Sequence, residues 1–236
     1  MGAPAATRPP GVHVDGIISW GRTLDEYRAF FALDDLSAYE SIVDVGAGPA
    51  SFTAEVNELG TPCTAVDPMY VADDVEQIRA KFEATRKDVL TSFEKSPERF
   101  LWGYYGTPER LQTIRRGALE RFLVDRAEHA SEQRYVPARL PALPFEDGDF
   151  DLALCSHMLF LYSHVLDVEF HLRAVEELLR IAREVRIYPL VALEGGPSPY
   201  LEAVVNKLRE TDVALELVPV KFEHLPGATK MLRIFV

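Results

Sequence analysis

Short apolar runs alternate with stretches of helical period along most of the chain. Thr23 can cap a helix that carries Leu24, Tyr27, Phe30 and Phe31 on one face. Ser41 to Val45 reads as a short buried strand, stopped by Gly46 and Gly48. Ser51 can open the next helix, with Phe52, Val56 and Leu59 at helical spacing and Gly60 at its end. Pro62 to Val66 reads as a second strand, closed by Asp67-Pro68. Strand, helix and strand within about 30 residues make a βαβ unit, so these two strands are expected to be parallel.

Residues 71–133 follow a different pattern. They are charged and helical in period, with Val75, Ile78 and Phe82 on one stripe and Leu111, Ile114, Ala118 and Phe122 on another. Trp102, Tyr104 and Tyr105 sit in a Gly- and Pro-bearing break between the stripes. Strand character returns at Tyr135-Val136, Phe150 to Cys155 and Val185 to Leu190. Between the last two runs lies an amphipathic helix with Leu172, Val175, Leu179 and Ala182 on its apolar face. A helix from Tyr200 to Arg209 precedes two closing strands, Leu215 to Phe222 and Met231 to Val236, joined through Pro226-Gly227.

The pattern predicts an α/β fold. Its core is a doubly wound, mostly parallel seven-stranded sheet with a C-terminal antiparallel hairpin and a helical insertion after the second strand. The expected organisation is a single Rossmann-like domain over residues 1–236, with an N-terminal arm and helix at 1–35 and the insertion at 71–133. The first sixteen residues read as a loose arm without the apolar core of a signal peptide. One segment fits poorly. Arg183, Glu184 and Arg186 fall in the fifth strand, where a central parallel strand is normally apolar on both faces. Pairing of Glu184 with Arg186, or of these residues with Asp149 or Asp151, is the expected resolution.

Composition narrows the function classes. The 236 residues are 47% hydrophobic and carry a formal net charge of -12. An acidic surface disfavours a nucleic-acid footprint, which needs a basic face. No apolar run reaches the length of a membrane span. Cys63 and Cys155 form no metal-ligand or disulfide spacing, so no metal is expected and a cytoplasmic setting is the natural reading.

The strongest chemical signal is Asp44-Val-Gly46-Ala47-Gly48-Pro-Ala50-Ser51, placed between a strand and a helix. Glycines there let a ligand lie against bare main chain. Asp67 follows Gly48 by nineteen positions, close to the ~20 expected for an acid that holds a ribose. Alone, either feature reads as an ordinary tight turn. Together and in order they point to an adenosyl-binding site. A dinucleotide fold prefers a third glycine, where this chain has Ser51.

The acid-x-Gly-x-Gly motif resembles the first motif of the class I S-adenosylmethionine-dependent methyltransferases, and Asp67 resembles their second. Leu143-Pro144-Phe145, followed by Phe150-Asp151, resembles a further motif, and the closing hairpin resembles their last two strands. The resemblance covers residues 41–70 and 134–236. It implies binding of S-adenosylmethionine, release of S-adenosylhomocysteine, and methyl transfer to a small-molecule or protein acceptor. By the same resemblance Asp44, Gly46, Ala47 and Gly48 line the methionine end, Asp67 holds the ribose, and Pro68 and Met69 lie near the adenine. Arg139 stands where the family has an acid, so the adenine contact moves to the Leu140 main chain. Ser156 and His157 fall at the edge between cofactor and acceptor.

His157 reads in two ways, as the base that takes a proton from the acceptor or as a polar cap on a strand end. Tyr162 and His164 are weaker candidates of the same kind. Arg22 reads as a solvated surface residue more readily than as a partner of the cofactor carboxylate. Packing of the insertion is the favoured role for Trp102, Tyr104 and Tyr105. Two other functions fit the motif: a nicotinamide-dependent oxidoreductase, and a non-catalytic cofactor-binding protein on the methyltransferase fold.

Overall fold

A computed structural model describes residues 17–71 and 75–236; the arm expected at 1–16 lies outside them. In chain order the elements are α1 (Leu24–Phe31), β1 (Ile42–Val45), α2 (Phe52–Glu58), β2 (Cys63–Val66), α3 (Val75–Lys95) and α4 (Pro108–Glu128). There follow β3 (Tyr135–Val136), β4 (Phe150–Ser156), α5 (Val168–Ile181), β5 (Ala182–Tyr188), α6 (Leu201–Arg209), β6 (Ala214–Pro219) and β7 (Lys230–Phe235).

The strands form one seven-stranded sheet in the order β3-β2-β1-β4-β5-β7-β6. Strands β1 to β5 are parallel, while β7 runs antiparallel to both β5 and β6. The α/β architecture and its antiparallel end are those the sequence predicts. Strand order reverses direction between β1 and β4, and ligands of open α/β sheets bind outside the carboxyl ends at such a switch point.

Period-two alternation sends side chains to both faces of the sheet. Ile42, Leu152, Leu154 and Tyr188 pack into the aromatic cluster of α1 and α2. Val43, Val45, Ala153, Cys155, Val185 and Ile187 pack into a second cluster with α5 and α6. Tyr70, Ile78, Phe82, Leu119 and Phe122 form a third cluster that ties α3 and α4 to the β2 edge.

Three details differ from the sequence reading. Leu59 and Val75 are 60% and 38% exposed rather than part of apolar stripes. The buried side of α5 is His171, Ala174, Val175, Leu178 and Ile181, so Leu172 and Leu179 stand beside it. Ala182 belongs to β5, because the chain passes from helix to strand with no turn: Ala182 already has φ -141 and ψ 147. The fifth strand therefore starts before Val185.

The charges of β5 are paired. Glu184 Oε1 accepts from Arg186 Nε and from Arg233 Nε, each at 2.6 Å, while Arg183 meets Asp151 at 3.0 Å. Arg186 Nη1 donates to the Phe31 carbonyl at 2.6 Å. That carbonyl ends α1, where helical carbonyls lack partners and a cation is favoured. Asp149 is engaged elsewhere, accepting from the Glu146 N–H at 2.7 Å.

Candidate functional site

The glycine loop is shaped by two hydrogen bonds to the end of β2. Gly46 and Ala47 N–H groups donate to the Val66 carbonyl at 2.8 and 3.2 Å. Gly46 and Gly48 have φ of +76° and +58°, a region that suits glycine. Asp67 binds the loop directly. Its Oδ2 accepts from Gly48 N–H at 3.0 Å and its Oδ1 from Met69 N–H at 2.9 Å. Tyr70 fixes the far side by donating its hydroxyl to the Gly48 carbonyl at 2.7 Å.

Residues 17–22 cross over this loop. The approach is so close that a Cβ on Gly21 would stand 1.9 Å from the Pro49 carbonyl oxygen, and one on Gly48 would stand 2.6 Å from Ser19 Oγ. Ser51 N–H donates to the Arg22 carbonyl at 3.0 Å. Arg22 is half-buried and lines a cavity, not a solvated surface residue as its sequence context suggests.

A cavity of about 410 Å³ lies between this strap and the carboxyl ends of β1, β2 and β4. Its size is that of a ligand site, ordinarily about 300 to 1,000 Å³. Gly46, Ala47, Gly48, Asp67, Pro68, Leu140, Ser156 and His157 line it. Asp44 and Met69 do not. Asp44 lies behind the loop, fully buried, with Oδ2 accepting from Tyr27 OH at 2.7 Å. Met69 Sδ accepts from Ser19 Oγ at 3.3 Å. Arg139 is exposed at the rim of the cavity, which Lys81 also lines.

Burial sets the protonation of the site. It raises the Asp67 carboxyl, against the lowering effect of the Met69 and Gly48 N–H groups. It pushes Asp44 up to about 7, against the hydrogen bond from Tyr27. His157 is held well below its ordinary value, first by burial and then by Arg22, Arg115 and His224, so its imidazole is neutral near pH 7. His157 Nδ1 lies 2.9 Å from Ser156 Oγ. The His157 backbone has φ +50°, and its N–H donates to the Tyr188 carbonyl at 2.6 Å.

Trp20 Nε1, Arg22 Nε and Asp44 Oδ1 are among the buried polar atoms that have no hydrogen-bond partner within the described residues. Trp20 and Arg22 line the cavity. Such atoms are costly unless a ligand or water satisfies them. The two donors fit a carboxylate, the Asp67 carboxyl fits a vicinal diol, and the bare glycine backbone admits close approach. S-adenosylmethionine presents a carboxylate and a ribose diol, and the donor set matches both.

A second cavity of about 90 Å³ adjoins the first, and Ile18, Trp20, Arg22 and His157 line both. Tyr162 lines the second cavity and accepts from Ile18 N–H at 2.9 Å. His164 lines neither. Tyr105 is buried and lines the second cavity, while Trp102 and Tyr104 pack against the same core. Sequence reasoning missed this cavity and missed His224, because its walls come from segments far apart in the chain. Among the described residues no group of three or more His, Cys, Asp or Glu can hold a metal ion, and no helix can cross a membrane.

No family model matches the chain. An uncharacterised protein of Methanocaldococcus jannaschii is 29% identical over 217 residues, covering 91% of this chain and 94% of that protein. Among solved structures, mitomycin 7-O-methyltransferase is 15% identical with a TM-score of 0.49, covering 90% of this chain and 53% of its own. This chain therefore spans about half the length of that enzyme. Magnesium protoporphyrin IX methyltransferase from Synechocystis PCC 6803, solved with bound SAM, is 13% identical with a TM-score of 0.44, covering 90% and 77%. The strand order and antiparallel β7 described above are those that the sequence's resemblance to the class I methyltransferases implies.

Proposed function

We propose that the chain binds S-adenosylmethionine in the larger cavity and transfers its methyl group to an acceptor, a small molecule or a protein. The observation that carries this reading is the Gly48–Asp67 hydrogen bond at the switch point of the sheet, in a cavity also lined by half-buried Arg22, whose Nε is buried and unpartnered. Asp67 holds the ribose diol, Gly46, Ala47 and Gly48 bring bare backbone to the ligand, and Arg22 meets the carboxylate. Pro68 and Leu140 flank the adenine. Ser156 and His157 face the transferable group.

The bound cofactor supplies an already electrophilic methyl group. The chain's own part is to align the acceptor, exclude water and receive the acceptor's proton. A neutral His157 imidazole on the cavity wall is the acceptor for that proton. The reading assigns these tasks to a single catalytic domain. Two buried free cysteines and an acidic chain suit a cytoplasmic setting.

The test is thermal unfolding with S-adenosylhomocysteine and, separately, with NAD. A specific ligand at a hundredfold over its Kd adds ~2.7 kcal/mol. The expected result is stabilisation by S-adenosylhomocysteine, none by NAD, and loss of most of the effect in Asp67→Ala. Stabilisation by NAD alone favours an oxidoreductase and removes the proposal.

A further inference from the structure

The smaller cavity has a chemistry of its own. It lies between α3, the loop before α4 and the connection from β6 to β7. Phe93, Phe100, Tyr105, Tyr188 and Phe222 contribute aromatic rings to its wall. These rings meet edge to face, as in Phe93 against Phe100 with centroids 4.6 Å apart and Tyr105 against Phe222 at 5.7 Å. Among the described residues no carboxylate lines the cavity, and the cation in its lining is Arg22.

Two imidazoles complete the lining, His157 and His224. His224 Nδ1 lies 2.9 Å from the Leu101 carbonyl oxygen, so Nδ1 carries the proton and Nε2 is left as an acceptor. Burial lowers His224 to about 4, and His157 is lowered by the same cause. The cavity thus offers two neutral proton acceptors beside one guanidinium.

That lining selects a guest. An ammonium group finds no carboxylate and faces the positive field of Arg22. A weakly acidic O–H donates to an imidazole, and the guanidinium steadies the charge that grows on oxygen as the proton leaves. Rings that present edges complement a planar π face. Size sets the upper limit. An apolar cavity of ~150 Å³ holds benzene. At about 90 Å³ this one is smaller, so it admits no more than one ring, and part of that ring with its polar end lies in the neck shared with the larger cavity. The neck is where His157 and Arg22 line both cavities.

We propose that the smaller cavity is the acceptor site and that its acceptor is a compact, uncharged, single-ring aromatic alcohol of the phenol class. This rests on the cofactor reading above. At the neck a new C–O bond forms as the C–S bond breaks, and the C–S electron pair returns to sulfur. The hydroxyl proton passes to the His157 imidazole.

The experiment titrates phenol, and separately benzylamine, into the full chain with S-adenosylhomocysteine present. It is repeated on Ser92→Leu, which fills the cavity from α3, and on His224→Phe, which keeps a ring but removes Nε2. Phenol is expected to bind and benzylamine not. Each variant should weaken phenol by about tenfold or more, equivalent to ~1.4 kcal/mol, while thermal stabilisation by S-adenosylhomocysteine stays intact. With S-adenosylmethionine, phenol should yield its methyl ether by mass spectrometry. The acceptor proposal falls if S-adenosylhomocysteine stabilises the chain but phenol does not bind. It falls equally if phenol binds both variants as well as the wild type, or if benzylamine binds more tightly. If S-adenosylhomocysteine does not stabilise the wild type, the cofactor reading is lost, and the acceptor role with it.

Discussion

Gly48 has neither the backbone freedom nor the space for a side chain. Its φ is +58°, and a Cβ would meet Ser19 Oγ at 2.6 Å. Gly48→Ala is expected to cost about 1–3 kcal/mol in a urea melt and to weaken S-adenosylhomocysteine, since it pushes on the strap as well as the loop. Asp44 carries a pH signature. Its carboxyl titrates at about 7 in the folded chain and near ~3.9 when unfolded. Between those values the folded state holds the extra proton, so this residue's effect on stability improves as pH falls and worsens as it rises to about 7. His157 and His224 act the other way, because their folded values are depressed. Comparison with Asp44→Asn isolates the acid. The variant's advantage over wild type should be largest at about pH 8 and shrink by about pH 5, and a gap that does not change with pH refutes the assignment. Asp44, Gly48 and Asp67 were legible because turn chemistry and spacing are local. Arg22 and His224 were not, because what buries them comes from the glycine loop, α4 and the Leu101 segment.

Among the elements, α1 is held at both ends by buried charge. Glu26 in its first turn accepts from Thr23 N–H at 2.9 Å and from Arg115 Nη1 of α4 at 2.7 Å, and Tyr105 hydroxyl donates to the same carboxylate. Glu26 and Arg115 are 1% and 2% exposed. Removing one partner strands the other without solvent. Arg115→Ala is expected to cost about 3–5 kcal/mol, while Glu26→Gln combined with Arg115→Met costs less than the single change. Calorimetric unfolding of the two variants checks the order, and equal costs would mean that the ion pair is not what joins α1 to α4. The capped start of α1 and the glycine-bounded α2 were readable in advance. The junction of α5 and β5 was not. Ile181-Ala182 fits a helix face and a strand equally well, and no Gly or Pro marks the change.

For the whole molecule, the sheet followed from the alternation of apolar runs and helical stretches, and the closing hairpin from Pro226-Gly227. What the pattern could not give was how the strap, the insertion and the hairpin meet. The net charge of -12 acts at this scale. Self-repulsion opposes compactness and is screened by salt, with a Debye length of about 8 Å at 0.15 M and about 3 Å at 1 M. The melting temperature is expected to rise between those two sodium chloride concentrations; a fall would show that attractive ion pairs outweigh the repulsion. One shared feature has the widest reach. Ile18, Trp20, Arg22 and His157 form a party wall with a chamber on each side. Any shift of the partition that accommodates a tenant in one room reshapes the other. Coupling between binding events is reciprocal, so whatever factor the first occupant imposes on the second is returned in full, and neither can move in unannounced.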